Sequence, residues 1–506
     1  MNDWSSGYIT DIDYIPGAYR ELTPSLLSFA ALASGVSAPD TKDITTYCEL
    51  GCGQGYSTNI LAAANPHIQF HANDFNPSHI LAARALAAAA GTRNVHFSDG
   101  SFAEFAAEAL PAFDVIALHG VYSWVSEENQ RQIVDFIRTR LKVGGLVYIS
   151  YNALPGSAPF ESLRRLMASG SGMTSASAGV EQGLAYAQRL FDLNPAYLRA
   201  HTGLADYFRE LKGKPRGYIA HEYFNRHWKA FYHADIAADL AAAKLTYVAS
   251  ANLLDTLDAA HFTPEHQAFL AATTDPTERE TLRDYLLNQR FRRDLFVKGK
   301  APLARDEAGE RWLNTRFVLT TPRADVPLKI MGALGEASLQ EEVYTPILDA
   351  LAGGPRTTRQ LLADAKVEAV GSGRVLQALI ALVGSSHLQP ALDEAGDAER
   401  RADTKAFNVA VLRTARASDD LRFLASPISG GMVPIDRVTR LFLLALEEGQ
   451  ADAPAFVWSV LNSVGARVAK DSKKLETPEE NLAELRVLFE TFNSRQLPVF
   501  RSIGIA

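Results

Sequence analysis

The stretch Glu49-Leu50-Gly51-Cys52-Gly53-Gln54-Gly55 (ELGCGQG) decides the fold. Before it, Ile44–Leu50 is short and rich in β-favouring residues; after it, Ser57–Ala64 reads as a helix. Glycine at every second position lets the backbone turn sharply and approach a ligand closely, where a Cβ would intrude. The run is GxGxG rather than GxGxxG, because Tyr56 occupies the place of the last glycine.

The same alternation of strand and helix continues to residue 152. Ile68–Asn73 alternates apolar and polar residues as a strand does, and Pro77–Ala90 is a helix pattern with proline at its first position and Gly91 as its stop. Val95–Ser98 is a third strand and Ser101–Leu110 a third helix. Phe113–His119 is almost continuously apolar, as expected at the centre of a parallel sheet. Ser126 caps a helix reaching Leu141, with Glu127 and Glu128 in its first turn and Arg138 and Arg140 near its end, and Leu146–Tyr151 is a fifth strand. Strands and helices in this order predict a doubly wound α/β domain. Residues 157–218 predict a helical insertion, with Ser169–Gly179 as a flexible surface loop. The helix pattern Asp235–Ala243 and the strands Leu245–Ala249 and Asp294–Lys298 then complete a seven-stranded sheet near residue 300.

Beyond that point, the helix patterns Glu341–Leu351, Arg359–Ala365 and Gly373–Val383 predict a winged-helix-like module within residues 301–400. Residues 401–506 predict a mostly helical C-terminal domain with a loop at Ser426–Pro434. The chain of 506 residues carries 50 basic and 58 acidic residues, a formal charge of −8 that argues against nucleic acid as a partner. Only two cysteines occur, Cys48 and Cys52, which excludes a disulfide framework and fits a reducing cytoplasm. No segment has the length of apolar sequence that a membrane helix needs, and the first residues, MNDWSSGYIT, do not read as a secretory signal. His221, His227 and His233 recur at a spacing that would splay them on a helix, and Asn225 breaks HExxH, so no metal site is expected.

GxGxG behind an acidic residue resembles the first motif of class I S-adenosylmethionine-dependent methyltransferases. That resemblance implies a Rossmann-like domain in which Glu49, Gly51, Gly53, Gln54 and Gly55 shape the loop around the methionine part of the cofactor S-adenosylmethionine. Asp74, 19 residues past Gly55 and followed by Phe75 and Asn76, would hold the ribose. Asp99, Gly100, Ser101 and Phe102 would meet adenine, His119 and Gly120 would meet the cofactor at the switch in strand order, and His119 and Trp124 would line the methyl end. The stretches YCELGCGQG (Tyr47–Gly55), ANDFNP (Ala72–Pro77), LHGVYSWV (Leu118–Val125), SYNALPG (Ser150–Gly156) and HEYFN (His221–Asn225) look like bacterial methyltransferases with a methyltransferase regulatory domain, among them rickettsial-type protein lysine methyltransferases, commonly dimeric. The regulatory segment would occupy about residues 219–300.

Methyl transfer from a sulfonium is an in-line displacement, and a lysine amine must lose its proton before it attacks. Ring faces and oxygens suit both cations, so Tyr122, Trp124, Tyr151 and Asn152 at the strand ends are the expected catalytic residues, and Tyr14 and Tyr19, with Tyr8, are expected to fold over the cofactor. The expected reaction is methyl transfer to lysine side chains of a protein substrate. The alternatives are a small-molecule N- or O-methyltransferase and a non-enzymatic, cofactor-sensing interaction protein.

Overall fold

The computed structural model describes residues 7–12, 14–171, 176–471 and 473–506. The core is a seven-stranded sheet built from β1 (Thr46–Leu50), β2 (Gln69–Asn73), β3 (Val95–Ser98), β4 (Phe113–Leu118), β5 (Leu141–Asn152), β6 (Leu245–Ser250) and β7 (Phe291–Lys298). Its order is β3-β2-β1-β4-β5-β7-β6. The first five strands are parallel, with Tyr47 opposite Phe70 on one side and Val115 on the other, and β7 runs antiparallel to both β5 and β6. Chain order reverses between β1 and β4, so their C-terminal ends frame the crevice where open α/β sheets bind ligands.

Local chemistry sets the helices between the strands: α1 (Pro24–Ala33), α2 (Tyr56–Ala64), α3 (Pro77–Ala90), α4 (Phe102–Ala107) and α5 (Glu127–Arg140). The Asn76 side chain caps α3 and left-handed Gly91 ends it; Ser101 and Glu104 form a reciprocal capping box on α4; Ser126 caps α5. Strand residues alternate between two buried layers. Tyr47, Val115, Ala117 and Tyr148 face a core continuous with α1 and the C-terminal half, whereas Cys48, Ile116, Val147 and Ile149 face α5.

Helices α6 (Ala158–Gly170), α7 (Ala176–Phe191), α8 (Ala196–Ala200), α9 (Leu204–Lys212) and α10 (Arg216–Tyr223) lie between β5 and β6, with their own apolar core of Leu163, Met167, Leu184 and Phe208. A loop is expected over Ser169–Gly179. Its first two residues end α6 and Ala176–Gly179 begin α7; residues 172–175 lie outside the described residues. Next come α11 (His233–Ala241), α12 (Asp258–His261), α13 (Pro264–Ala272) and α14 (Pro276–Leu287).

In the C-terminal half, strand Arg316–Leu319 is flanked by Arg356–Thr357 and Leu388–Ala391, alongside helices Glu341–Leu351 and Ser372–Gly384. The helix expected at Arg359–Ala365 is two short helices, Thr358–Leu362 and Ala365–Glu368, the second capped by the Asp364 carboxylate, which reaches forward to accept from the Lys366 amide. The Ser426–Pro434 region is the turn and return strand of a hairpin, Phe423–Ala425 with Met432–Pro434. That hairpin sits against α1 and α2: Ser25 Oγ donates to Ser429 O, Asn65 Nδ2 to Gly430 O, and Tyr56 Oη to Phe423 O. Among the described residues no helix is long and apolar enough to cross a membrane.

Candidate active site

Two cavities open at the C-terminal ends of β1 and β4. The first is built on the glycine turn. Gly51, Gly53 and Gly55 adopt φ of +69°, +54° and +65°, which L side chains rarely tolerate, and a Cβ on Gly51 would stand 2.6 Å from Val121 Cγ2. The Asp74 carboxylate holds the turn, accepting from the Gly53 and Asn76 amides at 3.0 Å each, with the His79 ring at 3.2 Å. Glu49 accepts from Thr58 Oγ1 at 2.5 Å; burial pushes its carboxyl up to about 7 against the pull of that bond.

Glu49, Gly51, Gly53, Gln54, Asp74, Phe75, Ser101, Phe102, His119, Gly120 and Trp124 all line this cavity. The N-terminal segment closes over it. Gln54 Nε2 donates to Tyr14 O at 2.6 Å, the Tyr19 amide donates to Ser57 Oγ at 3.2 Å, and Tyr8 meets Phe75 edge-on. The Tyr19 ring stacks on His119 at 3.6 Å, and His119 Nδ1 lies 2.7 Å from Tyr148 Oη. Burial, helped by Arg293, pushes the His119 ring down to about 3, so the stack is neutral at physiological pH.

Four expected contacts fall outside these walls. Gly55 is a packing glycine, since a Cβ there would meet Ala83 and Phe97. Asn76 spends its side chain on Ser78 as the cap of α3. Asp99 is exposed, and Gly100 O accepts from Asn73 Nδ2. The wall instead gains Asn73 and Val121, which lie inside the quoted stretches ANDFNP and LHGVYSWV, with His79, Asn129 and His227.

The second cavity, about 490 Å³, shares Tyr8, Tyr14, Tyr19, His119, Gly120 and Trp124 with the first. Asn152 joins it from β5; Phe160 and Tyr207 come from the insertion, and Tyr218, Glu222, Tyr223, Trp228, Arg290 and Phe291 from farther along. Tyr14 Oη donates to Glu222 Oε1 at 3.0 Å. Two of the four expected catalytic residues, Trp124 and Asn152, line this cavity. The other two, Tyr122 and Tyr151, line neither cavity: both are fully buried, and their hydroxyls donate inward to Asp239 at 3.0 Å and Asp294 at 2.6 Å. The three spaced histidines also diverge. His221 bonds Ile12 O, His227 faces the first cavity, and His233 is buried against Asp294.

A glycine cradle, two acids and a ring-lined annex at the switch point of a seven-stranded sheet are the parts of a site for a cofactor with an amino-acid end and a ribose. Comparison with known proteins gives the family. Residues 48–147 match a methyltransferase domain and residues 215–298 a predicted methyltransferase regulatory domain. The chain is 43% identical over 505 residues to the uncharacterized protein sll1526 of Synechocystis sp., covering 99% of this chain and 100% of that one. It is 25% identical over 301 residues to the uncharacterized protein RP789 of Rickettsia prowazekii, covering 58% of this chain and 53% of that protein. The structure of PKMT2 from Rickettsia typhi in complex with AdoHcy superposes with a TM-score of 0.70 at 18% identity, over 97% of this chain and 99% of that one. The chain belongs to the class I S-adenosylmethionine-dependent methyltransferases that carry a methyltransferase regulatory domain. S-adenosylmethionine is its methyl donor.

Proposed function

We propose that the protein transfers methyl groups to lysine side chains of a protein substrate. The observation that carries this reading is the cavity of about 490 Å³ beside the cofactor cavity, walled by tyrosine and tryptophan rings and one carboxylate. Stacked π faces and a carboxylate recognise a cation, and an alkylammonium is the cation that becomes a nucleophile by losing a proton. The likeness to PKMT2 along nearly the whole chain, accessory regions included, supports the same reading.

In this reading Gly51, Gly53 and Gln54 hold the amino-acid end of the cofactor, Asp74 the ribose hydroxyls, and Ser101 with Phe102 the adenine. S-adenosylmethionine supplies an electrophilic methyl group on a positively charged sulfur. Tyr19 and His119, stacked and neutral, form the wall between the two cavities with Trp124, so they exclude water without adding a charge that would repel either cation. Asn152 offers its amide to the incoming chain.

The test is transfer of label from methyl-labelled cofactor to acid-precipitable protein in bacterial extract, with and without prior acetylation of lysine amines. Label that disappears on acetylation is the expected result. Label that survives acetylation, or stays in small molecules, would overturn the lysine reading.

A further inference from the structure

The segment matched as regulatory builds much of the wall of the second cavity, with Tyr218, Glu222, Tyr223 and Trp228 all inside residues 215–298. Its acid is unbalanced. Glu222 Oε1 takes the Tyr14 hydroxyl, and among the described residues no hydrogen bond reaches Oε2 and no cation pairs with the carboxylate. The cavity's own cation is engaged elsewhere: the Arg290 guanidinium lies 3.7 Å from the Phe160 ring centre and 4.7 Å from that of Tyr207. A carboxylate in a ring-lined cavity, with one oxygen free and no cation from the protein, is completed by a cation from the ligand.

We propose that Glu222 receives the substrate ammonium in this cavity and takes its proton, so that the regulatory segment is part of the catalytic apparatus. The inference rests on the lysine reading above. The ammonium N–H bond breaks and the proton passes to Glu222 Oε2, leaving a lone pair on nitrogen. Nitrogen then bonds the methyl carbon as the methyl–sulfur bond breaks, its electron pair going to sulfur. The product leaves as a methylated ammonium and Glu222 returns its proton to water.

The surroundings suit a proton acceptor. Burial pushes the Glu222 carboxyl up to about 7, opposed by the Tyr14 bond. Tyr8, Tyr14 and Tyr19 face it from the N-terminal segment, and Tyr218, His221 and Tyr223 flank it on its own helix. Burial raises all five tyrosines, so none of them competes for the proton near neutral pH.

The experiment compares wild type, Glu222→Gln and Glu222→Asp for label transferred to extract protein between pH 6 and 10, with S-adenosylmethionine affinity measured by titration calorimetry. Glu222→Gln is expected to be about 100-fold slower near pH 7. The deficit closes as pH nears about 10.4, where lysine sheds its proton unaided. Glu222→Asp recovers part of the rate, and cofactor affinity stays within about twofold in both variants. A rate unchanged in Glu222→Gln, a deficit that does not vary with pH, or a parallel loss of cofactor affinity would each overturn the assignment. Wild-type label that ignores acetylation would instead overturn the lysine reading, and this inference with it.

Discussion

Two clusters of tyrosine, histidine and carboxylate stand on the same sheet and do opposite things. In one, Tyr8, Tyr14, Tyr19, His221 and Glu222 surround an open cavity, and the acid has no cationic partner among the described residues. In the other, Tyr151, His233, Tyr247, Asp284 and Asp294 close around Arg292, whose guanidinium reaches Asp294 at 2.9 Å, Asp284 at 2.7 Å and Glu280 at 2.9 Å. Burial acts on both sets of acids. Beside Arg292 and His233 the Asp294 carboxyl is nevertheless held below its usual range, whereas Glu222 rises to about 7. Asp284, 2.7 Å from the same guanidinium, still rises to about 7, because burial and the neighbouring Asp294 charge outweigh Arg292. The residue types are alike; the presence of a matched cation separates a structural cluster from one that waits for a ligand.

The sharpest way to break this comparison is to remove the matched cation. Arg292→Met leaves Asp294 and Asp284 buried without it, and is expected to cost about 3–5 kcal/mol in urea unfolding at neutral pH. The sign with pH follows from Asp294. A depressed carboxyl contributes stability that is present above its unfolded value and lost as pH falls through its folded value, so the gap between variant and wild type narrows in acid. A gap independent of pH, or below about 1 kcal/mol, would show that the cluster is not held by its charges.

Asp74 tests the boundary between the two kinds. It is partnered by two amides and the His79 ring, with no arginine or lysine beside it among the described residues, and it also lines the cofactor cavity. Loss of a charged acceptor costs about 1.5–3 kcal/mol, so Asp74→Ala is expected to weaken S-adenosylmethionine about 10- to 100-fold by calorimetry. Unchanged affinity would remove Asp74 from the ribose site.

How much of this the sequence carries depends on range. The glycine turn, the strand order and the walls at Asp74, Phe102, His119 and Trp124 are legible because they follow from local pattern: a left-handed turn needs glycine, and a doubly wound sheet puts its strand ends together. Tyr122 and Tyr151 are not legible this way. They sit at the expected strand ends, but their hydroxyls turn to acids 117 and 143 positions away. Glu222 lies within the HEYFN stretch, yet its hydrogen-bond partner in the cavity, Tyr14, is 208 positions earlier. Neither partnership leaves a local trace, and burial of each ring is decided by those distant contacts.

Removing the unmatched acid should do the reverse of removing the matched cation. The folded Glu222 carboxyl titrates near 7 against about 4.3 unfolded, so the folded state binds the extra proton between those values. Wild type therefore loses stability as pH rises from about 4.3 to about 7 and stays level above. Glu222→Gln carries no such penalty. Its unfolding free energy is expected to match wild type near pH 5 and to exceed it near pH 8 by an amount on the order of 1–2 kcal/mol. A variant less stable than wild type at pH 8 would make Glu222 a structural acid like Asp294.

The smallest effect separates the clusters most directly, because it applies one change to both. Tyr151 and Tyr14 each donate a hydroxyl to a carboxylate, Tyr151 to Asp294 at 2.6 Å and Tyr14 to Glu222 at 3.0 Å. Tyr151→Phe deletes one of several donors to a buried acid that Arg292 and His233 still hold, so about 1 kcal/mol of stability is lost. The ring lines neither cavity, so the rate of protein labelling stays within about threefold of wild type. Tyr14→Phe deletes the only hydrogen bond that Glu222 receives among the described residues, on a wall of both cavities. It leaves stability nearly unchanged, since water in the cavity can replace the donor, while the rate falls about tenfold as the carboxylate loses its orientation. If Tyr151→Phe slows labelling more than Tyr14→Phe does, chemistry runs through the closed cluster, and the distinction between matched and unmatched acids fails as a guide to this site.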